Sequence, residues 1–396
     1  MFRLCLAGWS AAICALAAWL ATHVSSSPTI LGRYSPAYSL LLVATAALAA
    51  ASLLAHTPRL YERLHAVRHE MLLVAVSVIA SLAIGEVAIR WLDPLGISSL
   101  EEGSRYHLDK VADPAMVFRH APGIRRVYQG VEVATNELGL RDRPIERKAA
   151  GELRILALGD SVTFGWGVPV EETFAKKLEG TLRSRLGRAV TTVNSGVGGY
   201  NTTQEYAFLR AHVGTIDPDI VVLLYVSNDI ERAIPPFDPW SRRSLKGKSA
   251  PEALNLILGR SWLYRLGLFA FQGFRAGSGQ RFNKGSRGVR ESMAALSGIA
   301  ALCRENSATF VTFVYRPKGE PSGGSSDALL SEIARVGQLE HFPVVDVAPW
   351  WGKVDMRSVT NSVFDSHPNA RGHEILAAGM SATLVSRHLV PVPASQ

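Results

Sequence analysis

The sequence predicts an α/β protein: a doubly wound, three-layer α/β/α sandwich around a five-stranded parallel sheet, with transmembrane helices before it. Two patterns predict this fold. From residue 153 onward, short apolar runs alternate with amphipathic segments of helical period, and before residue 93 long apolar segments dominate. A third pattern indicates the position of the functional site, because small and polar residues directly follow three of the predicted strands.

The sheet is predicted from short, mainly apolar runs, and the continuously apolar run Ile220–Val226 is typical of a strand buried on both faces. Apolar residues spaced four apart predict the helices between these strands. The predicted strands are Ile155–Leu158, Ala189–Val193, Ile220–Val226, Thr309–Tyr315 and Val344–Val347, with a further short strand at Val127–Val133. The predicted helices are Glu171–Leu186, Thr203–Val213, Val289–Glu305, Asp327–Leu339 and Ala370–His388.

Three apolar segments precede the sheet, at Leu4–Val24, Tyr38–Ala55 and Met71–Leu92. Each approaches the roughly 20 residues that a helix needs to cross about 30 Å of hydrocarbon. The first segment has an alternative interpretation as a signal peptide. Residues 21–25 form a poor cleavage signal and two further spans follow, which favours retained helices and a multi-pass membrane protein.

Basic residues predict the orientation of these helices, because cytoplasmic loops collect lysine and arginine. The loop after the first span contains Arg33, whereas the loop after the second contains Arg59, Arg63 and Arg68. The amino terminus is therefore expected in the cytoplasm. Everything after about Asp93 is expected to be extracytoplasmic, on the periplasmic side in a Gram-negative cell.

The α/β alternation is interrupted by an insert at about 230–288, which is rich in basic and aromatic residues. Two interpretations stay open: a lid or membrane-facing lobe with arginines near lipid headgroups, or a segment that packs on the domain and hydrates its charges. Leu254–Phe274 contains enough apolar residues for a helix. The chain is thus divided into transmembrane helices (1–92), a linker and extra lobe (93–152) and an α/β domain (153–390).

Composition excludes several classes of function. The formal net charge of +8 would suit a nucleic-acid partner, but no nucleic-acid motif is present and arginines beside apolar spans act as topology signals. The three cysteines, Cys5, Cys14 and Cys303, have neither the number nor the spacing of a disulfide framework or a metal site. We therefore expect no nucleic-acid partner, no disulfide framework and no metal site built on cysteine.

The strand ends carry groups suited to acyl transfer. Ser161, in Gly-Asp-Ser after the first strand, is a nucleophile if a base lies within hydrogen-bond reach, and otherwise an ordinary helix N-cap. The Gly196–Gly199 loop and the Asn228 carboxamide follow the next two strands and offer N–H donors for an oxyanion. His367 supplies a base just before the last helix, and Asp365 would orient its ring.

In this order, the four clusters resemble the sequence blocks of the SGNH (GDSL-type) hydrolases, over about Arg154 to His388. The resemblance implies a flavodoxin-like fold and ester hydrolysis without metal or cofactor. It implies Ser161 as nucleophile, His367 as base and Asp365 as the third triad member. The implied oxyanion donors are the Ser161 N–H, Asn228 and Gly199, the last because it lies five residues after Asn194, with Gly198 as the fallback.

The match departs from the family pattern in two places. Val226 stands where the third block usually has glycine, and the last block reads D-x-H instead of D-x-x-H, which leaves Phe364 at the expected acid position. His373 is a rival base. The segment 136–142 resembles a stretch found in membrane-anchored members of the family.

The expected function is therefore a membrane-anchored, extracytoplasmic serine esterase. Its expected partners are membrane lipids and an acyl-ester substrate, such as O-acetyl groups on an envelope polysaccharide or lipid. Two alternatives remain: an O-acyltransferase that acts on a glycan, and an inactive membrane scaffold or binding protein that keeps the hydrolase fold.

Overall fold

The computed structural model describes most of the chain in two units. One unit contains Met1–Asp93 and Pro239–Gln272, and the other contains Pro94–Asp238 and Gly273–Gln396. The described residues are 2–22, 30–31, 33–34, 36–93, 97–231, 258–267, 284–316, 325–362 and 365–390.

The first unit is helical. Among its described residues, two helices are long and apolar enough to cross a membrane, α1 (Phe2–Ala21) and α4 (Arg68–Leu92). The second predicted span, Tyr38–Ala55, corresponds to α2 (Pro36–Leu54), and α3 (Pro58–Ala66) follows it. Helices α2 and α3 are long and apolar enough to span a membrane only when they are taken together, and the chain bends by 91° between them. If this bent pair forms one span, the described residues contain three candidate spans.

Within this unit, the described part of the insert contacts α4. The Glu86 carboxylate accepts hydrogen bonds from Ser261 Oγ at 2.9 Å, Trp262 N at 2.9 Å and Leu263 N at 3.1 Å. Glu86 is also paired with Arg90 at 2.7 Å, one helical turn further along. Residues 262–267 are helical but 259–261 are not, so the insert does not form the continuous helix over Leu254–Phe274 that its composition suggested; most of the insert lies outside the described residues.

The second unit begins with an extra lobe. It consists of one helix and two antiparallel hairpins. The run Val127–Val133, predicted as a single strand, is instead a hairpin that turns at Gln129 and Gly130, both with positive φ. The elements are α5 (Ser98–Leu108), β1 (Lys110–Asp113), β2 (Val117–His120), β3 (Arg125–Tyr128) and β4 (Val131–Ala134).

The five-stranded parallel sheet is confirmed, in the order β6-β5-β7-β8-β9. Numbered within the sheet, this is the 2-1-3-4-5 order of flavodoxin-like folds. The strands are β5 (Leu153–Gly159), β6 (Val190–Asn194), β7 (Ile220–Tyr225), β8 (Thr309–Val314) and β9 (Val344–Asp346).

Helices cover both faces of the sheet, which gives the predicted three layers. Successive side chains of β5 alternate between faces, so Leu156 and Leu158 enter one core while Ile155 and Ala157 enter the other. The first core is completed by α8 (Thr202–Ile216), α9 (Arg287–Glu305) and α10 (Ser325–Glu340), and the second by α7 (Phe174–Leu186) and α11 (Ala370–Ser386).

This topology positions the site. Strands β6, β5 and β7 are neighbours and parallel, so the segments that leave their carboxyl ends emerge at one edge of the sheet. Those segments contain the Gly-Asp-Ser turn, the glycine loop and Asn228. The loop before α11 brings His367 to the same edge of the sheet, where it contacts both Ser161 and Asp365.

Candidate active site

Ser161 lies where β5 passes into α6 (Ser161–Phe164), a single helical turn. The alternative that Ser161 caps this helix is wrong, because Asp160 is the N-cap and accepts from Val162 N. Ser161 Oγ lies 2.8 Å from His367 Nε2 and 3.3 Å from Asp160 Oδ2. The hydroxyl has one proton, and the shorter contact directs that proton to the imidazole.

His367 is held between Ser161 and Asp365. Its Nδ1 lies 2.5 Å from Asp365 Oδ1, and the same oxygen accepts from the His367 backbone N–H at 3.1 Å. An ionised carboxylate only accepts hydrogen bonds, so Nδ1 carries the ring proton. Nε2 is thereby left with a lone pair that faces the Ser161 hydroxyl, which is the arrangement a general base requires.

Two amides hold the other oxygen of Asp365. Gln129 Nε2 donates to Oδ2 at 2.8 Å and Asn361 Nδ2 donates at 3.3 Å. Burial alone would raise the pKa of Asp365, but the hydrogen bonds and charge of His367, together with Gln129, lower its pKa below the ordinary value. Asp365 therefore stays ionised at neutral pH and can stabilise an imidazolium.

The glycine loop after β6 packs directly on the nucleophile turn. A Cβ at Gly196 would lie 2.1 Å from Phe164 N, so only glycine permits this approach. Gly198 N donates to Tyr106 Oη at 2.7 Å and is therefore occupied. Gly199 has φ +80°, and within the described part of the chain its N–H and that of Ser161 have no hydrogen-bond acceptor. This supports Gly199 over the fallback Gly198.

Asn228 reaches the nucleophile turn from the end of β7. Its Nδ2 donates to Asp160 Oδ2 at 2.9 Å, which orients the carboxamide and leaves its second N–H hydrogen for another acceptor. Burial raises the pKa of Asp160, and the hydrogen bonds from Val162 N–H and Asn228 act in the opposite direction. The N–H groups of Val162 and Asn228 thus hold one carboxylate oxygen each.

Arg141 supports the turn from behind. Its buried guanidinium donates to the carbonyl oxygens of Phe164 at 3.0 Å, Gly165 at 2.7 Å and Val168 at 2.7 Å. These carbonyls follow Ser161 along the chain, so Arg141 fixes the backbone that carries Ser161.

The rival base His373 does not hydrogen-bond to Ser161, and its Nε2 has no hydrogen-bond partner among the described residues. It is buried in the first turn of α11, where its Nδ1 accepts from Phe174 N at 3.1 Å. Burial lowers the pKa of His373 to about 3, so it is neutral. Asn369 caps α11, because its side chain accepts from Arg371 N and Gly372 N. Phe364 lies outside the described residues.

The sequence pattern missed the residues that the extra lobe contributes. Gln129 holds Asp365, and Tyr106 and Lys110 bind the glycine loop. The sequence signal for the lobe is limited to aromatic residues such as Phe118 and Tyr128, which favour burial and are buried in the structure. Among the described residues, no group of three or more histidine, cysteine, aspartate or glutamate side chains is arranged to hold a metal ion.

Comparison with known proteins gives one partial match in sequence and several in structure. An arylesterase of Vibrio mimicus is 31% identical over 83 residues, which are 21% of this chain and 41% of that protein. This chain thus matches about two fifths of the length of that relative. The esterase EstA from Pseudoalteromonas sp. is 15% identical, with a TM-score of 0.39 and coverage of 59% of this chain and 98% of that one. A variant of Axe2, an acetyl-xylooligosaccharide esterase from Geobacillus, is 15% identical, with a TM-score of 0.38 and coverage of 62% and 97%.

The family assignment rests on a longer match. The sequence model of the GDSL-like lipase/acylhydrolase family matches residues 157–375, which is more than half of the chain. The matched range begins within β5 and ends within α11, so it includes the nucleophile turn, the glycine loop, Asn228 and the segment that carries His367. This chain belongs to the GDSL-like lipase/acylhydrolase family.

Proposed function

We propose that this protein is a membrane-anchored serine esterase that hydrolyses acyl esters through an acyl-enzyme. The observation that carries the proposal is the continuous hydrogen-bond chain from Ser161 Oγ through His367 to Asp365. Such a chain activates a serine hydroxyl, because the proton has an acceptor and the resulting imidazolium has a counter-charge.

In the proposed mechanism, Ser161 Oγ attacks the ester carbonyl while its proton passes to His367 Nε2. The tetrahedral oxyanion accepts hydrogen bonds from Ser161 N–H, Gly199 N–H and Asn228 Nδ2. His367 then returns the proton to the alcohol that leaves. Water attacks the acyl-enzyme by the same route in reverse, and Ser161 is regenerated.

We place the active site outside the cytoplasm. The support is the excess of arginine in the loop after the second apolar segment, together with α1 and α4, which are long and apolar enough to span a bilayer. An extracytoplasmic, membrane-anchored esterase would meet acyl groups of envelope lipids and polysaccharides. O-acetyl esters on such a glycan are therefore the substrate class we propose, with transfer of the acyl group to a sugar as the alternative fate of the same intermediate.

The test uses the full-length protein in detergent, assayed with p-nitrophenyl acetate, long-chain p-nitrophenyl esters and O-acetylated glycans. We expect turnover of the acetyl esters and a fluorophosphonate adduct on the peptide that contains Ser161. Product analysis with an added sugar acceptor separates hydrolysis from transfer. Absence of both turnover and adduct would mean that the fold is retained as a scaffold; a preference for long chains would indicate a lipase.

Asn228 provides a separate prediction for the oxyanion site. Asn228→Ala should lower kcat for p-nitrophenyl acetate by about 10²–10³, the usual cost of one oxyanion donor, and leave KM nearly unchanged. The exposed Asn306, whose Nδ2 donates to the Leu302 carbonyl at the end of α9, gives a matched control as Asn306→Ala. If both variants have the kcat of the parent protein, Asn228 is not an oxyanion donor.

A further inference from the structure

Lys110, at the start of β1 in the extra lobe, reaches the glycine loop of the active site. The residue is buried, with 8% of its surface exposed. Its Nζ donates to the carbonyl oxygen of Gly198 and lies 3.0 Å from His107 Nδ1. The same nitrogen lies 4.4 Å from the centroids of the Tyr106 and Phe118 rings.

The carbonyl that Lys110 binds and the N–H of Gly199 belong to one peptide group. Resonance delocalises the nitrogen lone pair of a peptide toward its carbonyl oxygen. A cation at that oxygen increases the delocalisation and makes the N–H a stronger donor, as happens along chains of hydrogen bonds. Building on the proposed function, we propose that Lys110 is a positioning residue that polarises the Gly198–Gly199 peptide and so strengthens the oxyanion donor at Gly199.

The surroundings of Nζ favour an ammonium group. A carbonyl oxygen, an imidazole lone pair and the faces of two aromatic rings all present electron density to it. Burial lowers the pKa of Lys110 well below its usual range, and the nearby Asp160 carboxylate acts against this lowering. The contacts made by Nζ act in the same direction as Asp160, because each is stronger with the charged form. Burial and the charge of Lys110 lower the pKa of His107 to about 4, so its ring is neutral at pH 7. With the ring proton on Nε2, Nδ1 accepts from Lys110.

Anchoring of the glycine loop is a different role from polarisation of its peptide, and Tyr106 of the lobe already anchors the loop. Tyr106 Oη accepts the Gly198 N–H, which belongs to the preceding peptide, and also contacts His120 Nε2 at 2.6 Å. Removal of the Tyr106 hydroxyl therefore releases the loop without removing the cation at the Gly198 carbonyl. Tyr106→Phe and Lys110→Met together separate anchoring from polarisation.

The experiment compares the full-length parent protein with Lys110→Met and Tyr106→Phe. Methionine preserves the length and the apolar stem of the side chain but removes the donor and the charge. We expect kcat for p-nitrophenyl acetate to fall about tenfold in Lys110→Met, less than the roughly 10²–10³ for loss of a whole donor, with little change in KM. Rates are expressed per fluorophosphonate-labelled Ser161, so that misfolded protein does not lower them.

A spectroscopic measurement completes the test. In a slowly deacylating cinnamoyl-enzyme, a weaker oxyanion donor raises the carbonyl stretching frequency. We expect this rise in Lys110→Met and a carbonyl band closer to the parent's in Tyr106→Phe. A parent-like kcat in Lys110→Met, or equal bands in the two variants, would overturn the role of Lys110 alone. A parent protein without esterase activity would instead remove the proposed function on which it rests.

Discussion

Replacing Ser161 by alanine should lower kcat for p-nitrophenyl acetate by about 10⁶, the order of loss seen when a serine hydrolase loses its nucleophile. The hydroxyl that would form the acyl-enzyme is gone, while the oxyanion donors and the backbone of the turn remain. Because Ser161 and His367 act as one unit, Ser161→Ala combined with His367→Ala should be no slower than either single variant. Initial rates and fluorophosphonate labelling of the three variants test this.

The matched control is Ser366→Ala, which removes an exposed serine hydroxyl from the turn between Asp365 and His367. We expect its kcat and labelling to equal those of the parent protein. Turnover in Ser161→Ala at more than about one hundredth of the parent rate would show that another group is the nucleophile, since residual catalysis without the triad is far smaller.

Asp365→Asn should lower kcat by about 10⁴ with little change in KM. The amide cannot stabilise an imidazolium, and it can donate to Nδ1, which favours the tautomer whose proton is on Nε2. In that tautomer the Nε2 lone pair that accepts the Ser161 proton is lost. Steady-state kinetics at neutral pH measure the effect, because the lowered pKa of Asp365 keeps the native carboxylate ionised there.

Asp355→Asn is the matched control, because Asp355 is an exposed residue whose side chain accepts from Arg357 N in the same region of the chain. Its kcat should be unchanged. A loss below tenfold in Asp365→Asn would mean that backbone and amide contacts orient His367 without a carboxylate. Catalysis in this chain would then depend on a dyad of Ser161 and His367, in keeping with the D-x-H spacing of its last block.

The sheet and its helices were predictable because their signal is local. Apolar runs, interrupted by threonines in β6 and β8, marked all five strands. The observed limits of β5 and β7 differ from the predicted ones by no more than two residues. The hairpin at Gln129 was missed because its turn consists of glutamine and glycine within an alternating run. Over Val127–Val133, a hairpin of two short strands and a single longer strand would show the same alternation of apolar residues, so the pattern does not distinguish them.

The residues around the triad were less predictable, because their partners are distant in sequence. Gln129 and Asp365 are separated by 236 positions, and Lys110 and Gly198 by 88. No spacing rule connects such residues. Only the packing of the lobe on the α/β domain brings their polar atoms to the active site, so a sequence pattern can identify the groups that react but not those that orient them.

The contact between Glu86 and residues 261–263 has a consequence for biogenesis. Glu86 and Trp262 are separated by 176 positions. At roughly 5–20 residues per second, the donors for this carboxylate leave the ribosome on the order of ten to thirty seconds after α4. If α4 spans the membrane as proposed, it enters the bilayer with Arg90 as the counter-charge of Glu86. Residues 261–263 therefore pack on α4 only late in synthesis, after strands β5, β6 and β7 have been made.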